Sequence, residues 1–297
     1  MIQRIEEEEL TELIEKQKAT YKITIMCKLY EIPRSTYYDR ITREESDLSK
    51  TNRMLKEKIN KIYHDSNKIY GSPKITKILK NKGHKISIKR TQRLMRELGI
   101  RSITCRKYNH YSSQSNNDFE GKNLLQQNFD TKDLKEKWVT DITYVHTVND
   151  GWCYLASVMD LHTNKIVGYA FAKHMKKELV IKAIENAYKS EGLKNDNQII
   201  LHSDRGSQYT SKKYRSIIRE KGLILSYSDK GNPYDNACME SFHSILKTEE
   251  TKRRTYYNYK EAKLVIFEFI ESWYNRRRIH GSIDYMTPIE YERKCVA

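Results

Sequence analysis

His202 Ser203 Asp204 Arg205 Gly206 Ser207 Gln208 Tyr209 follows directly on the apolar run Ile199 Ile200 Leu201, so a buried strand opens into a polar loop at an Asp. Thirty-five residues separate Asp204 from Glu240, which lies in Asp235 Asn236 Ala237 Cys238 Met239 Glu240 Ser241 Phe242 His243. That second stretch reads as a capped helix with a Glu in its first turns, Asn236 and Ser241 supplying helix-start chemistry. Upstream, Trp138 Val139 Thr140 Asp141 Ile142 Thr143 Tyr144 Val145 is rich in β-branched and aromatic residues and places a second Asp inside a strand. Two strand-borne aspartates and a helix-borne glutamate are the raw material of a two-metal phosphoryl-transfer site.

Such chemistry needs an oxygen nucleophile deprotonated near neutral pH and a leaving oxyanion stabilised, and two divalent metals roughly 4 Å apart do both. Mg2+ takes a few carboxylates plus water and phosphate oxygens, and a softer metal asks for imidazole or thiolate. Asp141, Asp204 and Glu240 are therefore the candidate catalytic and metal-binding residues. Each has a plainer reading. Asp141 reads also as an edge-strand acid, although an acid amid apolar strand residues is costly to bury without a cation. Asp204 reads as a turn residue paired with Arg205. Glu240 reads as a surface helix residue, with Glu249 and Glu250 as rivals for the third ligand. His243 and Lys247 follow Glu240 by three and seven residues and share its helix face. Lys247 is expected to reach DNA phosphates, or else is a solvated cation; His243 is a second site residue or a core-edge histidine.

Around these motifs, strands are expected at Val139–Val145, Trp152–Met159 and Ile166–Phe171, with Asn149 Asp150 Gly151 as a hairpin turn. Leu179, Val180, Ala183, Ile184 and Ala187 mark an amphipathic helix. Strand Gln198–Ser203, helix Lys212–Glu220 and strand Leu223–Ser226 follow. A three-strand meander followed by α/β alternation is the order of a ribonuclease H-like fold, a mixed five-stranded sheet with helices. In that fold the first strand lies beside the fourth, which brings Asp141 to Asp204. A helix over Tyr259–Asn275 should bury Ile266, Phe267, Ile270, Trp273 and Tyr274. It ends in Arg276 Arg277 Arg278, where cations suit the helix dipole; Arg277 is also a candidate DNA contact.

The 297 residues carry a net charge of +16, a pI near 9.4 and a mean hydropathy of -0.83, a balance that points to a polyanionic partner. The excess is local. Residues 1 to 12 hold -4, residues 13 to 115 hold +16 and residues 116 to 297 hold +4. In the basic region, Lys22–Tyr38 outlines either a helix-turn-helix or a plain helical hairpin. Leu55, Ile59 and Ile62 mark a helix over Ser49–Ile62. After Tyr70 Gly71 Ser72 Pro73, Lys74–Lys82, a stop at Gly83 and Ser87–Leu98 again outline a helix-turn-helix, with Ile88, Leu94, Met95 and Leu98 apolar. Lys89, Arg90, Arg93 and Arg96 on its second helix are candidate DNA contacts, as is Arg205; the alternative is a solvated charged face. The boundaries expected are 1–48 for an N-terminal helical segment, 49–101 for the basic helix-turn-helix, 102–135 for a linker, 136–250 for the catalytic core and 251–297 for a C-terminal helical extension. Within the linker, Ser112 to Asn117 is polar, and Arg106, Lys107, Tyr108, His110 and Tyr111 interleave cations with aromatics along a further candidate DNA contact.

Cys27, Cys105, Cys153, Cys238 and Cys295 are scattered, odd in number and without a CxxC pair, which argues for reduced thiols in a cytoplasm and against a structural zinc site. No apolar run approaches the roughly 20 residues of a membrane span.

The stretches Asp141–Val145, His202–Ser211, Asn232–Glu249 and Tyr274–Pro288 together resemble the motifs of the insertion-sequence-three family of bacterial transposases, specifically the OrfB product, whose core is similar to retroviral integrase. The resemblance runs from about Cys27 to the C-terminus. It implies an α/β ribonuclease H-like integrase core preceded by all-α helix-turn-helix segments, with Asp141, Asp204 and Glu240 as its DDE triad. It implies binding at the ends of an insertion sequence, Mg2+-dependent 3'-end cleavage with Mn2+ able to substitute, and strand transfer by a homo-oligomer on DNA. It further implies a bacterial, nucleoid-associated setting and a partner, OrfA, joined by frameshifting; this chain lacks a long leucine heptad at its start, as expected of OrfB alone. Two other classes remain open: a ribonuclease H-like nuclease that cuts without joining, and a transposase-derived DNA-binding regulator that no longer cuts.

Overall fold

A computed structural model describes residues 2–42, 44–103, 121–194, 198–229 and 232–297. The linker residues Arg106, Lys107, Tyr108, His110 and Tyr111 and the run Ser112 to Asn117 lie outside the described residues. The chain forms two compact units, Met1–Asn60 and Lys61–Ala297.

In the first unit, α1 (Ile2–Gln17), α2 (Ile23–Leu29) and α3 (Arg34–Thr42) enclose Ile14, Met26, Cys27, Ile32 and Tyr37. The Tyr37 hydroxyl donates to Glu15 Oε1 at 2.8 Å, tying α3 to α1. The next helix, α4 (Asp47–Asp65), buries Leu55, Ile59 and Ile62, as their i, i+4, i+7 spacing predicts.

In the second unit, α5 (Ser72–Asn81) and α6 (Ile88–Glu97) pack through Ile75, Leu79, Leu94 and Met95, and Thr76 and Thr91 hydrogen-bond at 2.8 Å across the pair. Gly83 turns between them at φ +83°. The Ser87 hydroxyl accepts from the Arg90 N–H and caps α6. Ile88 differs from expectation. As the first residue of α6 it has no preceding helical turn to lean on and is half exposed, and Thr91 takes the buried position instead.

The sheet is built from β1 (Lys137–Thr147), β2 (Gly151–Asp160), β3 (Ile166–Ala172), β4 (Ile200–Ser203) and β5 (Ile224–Tyr227), in the order β3-β2-β1-β4-β5. The meander β1 to β3 is antiparallel, while β4 joins β1 in parallel and β5 joins β4 in parallel. This is the expected mixed five-stranded sheet. The crossovers are α7 (Lys177–Ser190), then a single turn α8 (Ser207–Thr210) with α9 (Lys212–Glu220).

Alternation along each strand divides the interior into two layers. Trp138, Val158, Val180, Ile184, Tyr214 and Ile218 fill the layer beneath α7 and α9. Val139, Val145, Met159, Met239, Phe242, Leu246, Ile266, Ile270 and Tyr274 fill the other, beneath α10 (Ala237–Leu246) and α11 (Tyr259–Glu268). Gly168 is required by the first layer. A Cβ there would stand 2.4 Å from Ala187 N and 2.5 Å from Ala183 O, inside the backbone of α7.

The C-terminal helix passes from α11 into a π turn at Phe269–Tyr274, and α12 (Pro288–Val296) follows, opened by a capping box of Thr287 and Glu290. Phe267, expected on the buried face, is half exposed, and Phe269 is buried in its place. Each residue turns the helix by about 100 degrees, so Phe267 falls well off the direction shared by Ala262, Ile266 and Ile270, and Phe269 falls nearer to it.

Candidate active site

β1 lies in the middle of the sheet, and Asp141 stands along it in phase with Val139 and Val145, on the face that α10 covers. The parallel register sets Lys137 against Ile200 and Val139 against His202. Asp141 is two residues past Val139 and Asp204 two past His202, so the same register carries the two carboxylates side by side where β4 ends. There the Asp204 Oδ1 accepts from the Gly206 N–H at 2.9 Å and holds the turn into α8.

Glu240 and His243 come from α10, one turn apart, and Lys247 ends that helix with α-helical backbone angles. His243 is buried, with Nδ1 3.5 Å from Asp141 Oδ2. Burial, with Lys247 adding to it, pushes the His243 imidazole down to about 3, so at neutral pH it is an uncharged neighbour of Asp141. The Lys247 ammonium sits 4.6 Å from the centre of the Tyr144 ring on β1. Asn236, expected to cap α10 through its side chain, makes no capping hydrogen bond; a 3-10 turn over Pro233–Asn236 leads into the helix instead.

The carboxylates act on one another. Desolvation raises the Asp141 carboxyl above its ordinary value, and the charges of Asp204 and Glu240 raise it further, against the Ile142 N–H and the more distant Lys247. Asp204 remains open to solvent, yet the protein around it displaces enough water to raise its carboxyl as well, against the Gly206 N–H. Among the described residues no group of three His, Cys, Asp or Glu side chains stands close enough together to hold a metal ion as it is. The charges of Asp204 and Glu240 are felt at Asp141, a repulsion that a cation would relieve, and carboxylate oxygens are the donors that Mg2+ takes together with water and phosphate oxygens.

Two networks hold the frame. His202 bonds Ser226 Oγ at 2.8 Å and Ser228 Oγ at 3.1 Å, and burial pushes its imidazole down to about 4; it ties β4 to β5 behind Asp204. Buried Asp235 accepts from the Asp229 N–H at 2.7 Å and from the Asn123 and Asn232 amides at 3.0 and 2.9 Å, fixing the approach to α10.

Residues 134–233 and 221–288 match two integrase core domain families, and residues 50–108 match an HTH-like domain family. The chain is 38% identical over 269 residues to the insertion element IS600 uncharacterized 31 kDa protein of Shigella sonnei, across 91% of this chain and 98% of that one. It is 31% identical over 288 residues to transposase InsF for insertion sequence IS3A of Escherichia coli (strain K12), across 96% of this chain and 98% of that one. The HTLV-2 integrase catalytic core domain in complex with magnesium, in its trimeric form, aligns with a TM-score of 0.40 and 12% identity over 53% of this chain and 95% of that one. This chain belongs to the insertion-sequence-three family of transposases. It is an enzyme of the polynucleotidyl-transferase type.

In this transposase the other cations expected at the site divide between framework and surface. Arg205 serves the frame. Its Nε donates to the Ser228 carbonyl at 2.7 Å, and Nη2 lies 3.4 Å from the Gly121 carbonyl and from Asp229 Oδ1. Arg277 is exposed and its carbonyl accepts from the Tyr70 hydroxyl at 3.0 Å, whereas Arg278 beside it is buried against Glu249. On α6, Lys89, Arg93 and Arg96 are exposed and Arg90 is half-buried; Arg93 Nε lies 3.7 Å from Glu97. No helix among the described residues is long and apolar enough to cross a membrane.

The rivals for the third carboxylate are occupied elsewhere. Glu249 receives hydrogen bonds from Arg278 and from the Trp273 indole N–H at 2.9 Å, and Glu250 lies 3.3 Å from the Tyr256 hydroxyl and 3.6 Å from Arg254. Sequence reading did not find Asp235 or the Glu249–Arg278 pair as framework. The local signal was the phase of Glu249, which follows Phe242 and Leu246 at i+7 and i+3 on one helical face.

Proposed function

We propose that this transposase cuts and joins DNA at the ends of its element, with Asp141, Asp204 and Glu240 as the DDE ligand set for two divalent ions, Mg2+ by preference and Mn2+ as a substitute. The observation that carries the reading is the meeting of β1, β4 and α10, which leaves Asp141 desolvated and under the charges of two further carboxylates, Asp204 and Glu240. The engagement of Glu249 with Arg278 supports Glu240 as the third member. The magnesium in complex with the HTLV-2 integrase catalytic core domain is consistent with this choice.

When bound, the ions would lower the pKa of the attacking oxygen and stabilise the leaving one. The chain's own residues do the rest. Asp141 and Asp204 must give up their protons to act as ligands, which the raised affinity of both makes dependent on pH. His243 stays neutral beside Asp141 and adds no charge that would compete for it. Lys247 holds a phosphate near the bond to be cut. Residues 49–101 bind the duplex through Lys89, Arg90, Arg93 and Arg96, with Arg277 as a further contact, and residues 136–250 with the helices of 251–297 carry the chemistry. The working form is a homo-oligomer on double-stranded DNA, together with an OrfA partner or as an OrfA-OrfB fusion.

The test uses the full chain and a duplex carrying the element end. Asp141→Asn, Asp204→Asn and Glu240→Gln are each expected to abolish cleavage and joining in Mg2+ while retaining DNA binding. Normal joining of pre-cut ends by any one of them removes that residue from the site.

A further inference from the structure

Tyr144 and Trp152 are both about half exposed, at 53% each, although they are among the largest side chains in the protein. They stand on the antiparallel pair β1 and β2, with ring centres 5.0 Å apart and planes at 88°. His146, directly opposite Trp152 in the register, meets the indole at 5.0 Å and 74°. An edge-on arrangement leaves aromatic faces toward solvent, where a planar group can stack. The Lys247 ammonium lies 4.6 Å from the Tyr144 ring centre and brings positive charge to the same place.

The position of this group gives it meaning. Tyr144 is three strand residues from Asp141, roughly 10 Å along β1, and alternation turns it to the opposite face of the strand. What links it to the carboxylates is Lys247, which comes from the helix that carries Glu240 and meets the Tyr144 ring, so a strand that passes from the carboxylates over Lys247 comes to Tyr144 and Trp152. In a duplex each base except those of the last pair is stacked on both sides, so a base short of the very end must leave the stack to offer a face to a side chain. An aromatic pair with one cation above it is the composition that single-stranded nucleic acid sites use, base on ring and phosphate on ammonium.

We infer that Tyr144 and Trp152 form a stacking platform for an unpaired nucleobase at the DNA end, with Lys247 taking the adjoining phosphate. The platform holds the terminal base pairs apart so that one strand lies along the carboxylates. This rests on the proposed cleavage site at Asp141, Asp204 and Glu240. Tyr144 and Trp152 are positioning residues and touch none of the atoms that react.

The test compares full-length protein on two element-end duplexes, one fully paired and one with its last pairs mismatched so that they are already open. Tyr144→Ala and Trp152→Ala are expected to slow cleavage of the paired end by roughly tenfold or more, and the open end should recover most of the loss. Tyr144→Phe, which keeps the ring, should lose much less than Tyr144→Ala on the paired end. Separately, 5-iodouracil at the terminal positions should crosslink on irradiation to Tyr144 or Trp152, a readout that needs no cleavage and so stands even if the proposed chemistry fails. Equal loss on both ends, unchanged cleavage of both, or crosslinks only elsewhere would each overturn the platform. A change in oligomer mass in Trp152→Ala, with crosslinking absent from the parent, would make the patch a contact between protein subunits instead.

Discussion

Arg278 grips Glu249 through Nε at 3.0 Å to both carboxylate oxygens and through Nη2 at 2.9 Å to Oε1, and both side chains are buried. Glu249 lies in the π turn that continues α10, nine residues beyond Glu240, and Arg278 follows the C-terminal helix. The pair therefore fixes the far end of the helix that presents Glu240. Tyr70, just before α5, reaches the same place: its hydroxyl donates to the Arg277 carbonyl and accepts from the Ile279 N–H at 3.0 Å, and its ring lies 5.8 Å from Trp273. The helix-turn-helix of α5 and α6 is thus joined to the catalytic helix through one polar cluster.

Removing one partner leaves a buried charge without its counterion. Glu249→Ala should cost about 3 to 5 kcal/mol of stability, by chemical denaturation. The double variant Glu249→Gln with Arg278→Met should lose much less, since both charges go together. A loss in the double variant equal to that in Glu249→Ala would show that the pair itself contributes little beyond packing.

Gly168 supports a second stability prediction. Gly168→Ala places a Cβ 2.4 to 2.5 Å from the backbone of Ala183 and Ala187, and backbone cannot move aside as a flexible side chain can. We expect a loss of about 3 kcal/mol or more, toward the exceptional end for a single substitution, or failure to yield soluble protein. A near-parental melting temperature would mean that α7 shifts away from β3 at little cost.

The sheet was legible because its signals are local and periodic. The alternation in Trp138 to Val145, the turn at Asn149 to Gly151, which holds Gly151 at φ +68°, and the apolar run before His202 each act over a few residues, and the strand order follows from them. Helix Lys212–Glu220 and its bounds followed from the same kind of pattern. What lay hidden depends on partners distant in sequence. Nothing near Arg278 shows that Glu249 will meet it, so a run of three arginines reads as one basic patch although Arg278 is inside and Arg277 is outside. The framework bonds of Arg205 are hidden for the same reason, because Ser228 and Gly121 reach it only in the fold.

Lys247 is tested by geometry. It lies seven residues beyond Glu240 on continuous α-helical backbone, within about 20 degrees of the same direction. Lys247→Ala should weaken productive binding of the DNA end and lower cleavage by roughly tenfold or more, a positioning effect, while Lys247→Arg should recover a good part. Cleavage and joining by Lys247→Ala like the parent over a range of salt would make this lysine only a partner of Tyr144.

The carboxylate cluster predicts a dependence on pH whose sign follows from Asp141. Its carboxyl is raised above its ordinary 3.8 by burial and by the charges of Asp204 and Glu240. A raised acid binds more protons in the folded state than in the unfolded one, so stability falls as pH climbs from 3.8 toward the raised value. Without divalent metal, Asp141→Asn should therefore melt higher than the parent above that window, and the difference should shrink as pH falls toward 3.8. Added Mg2+ should reverse the order. It binds the ionised carboxylates, so it should stabilise the parent more strongly as pH rises and leave Asp141→Asn nearly unmoved. Melting curves in EDTA and in Mg2+ at several pH values measure both halves. A parent whose melting temperature ignores Mg2+ at every pH, or an Asn variant that gains as much from Mg2+ as the parent, would separate Asp141 from the metal.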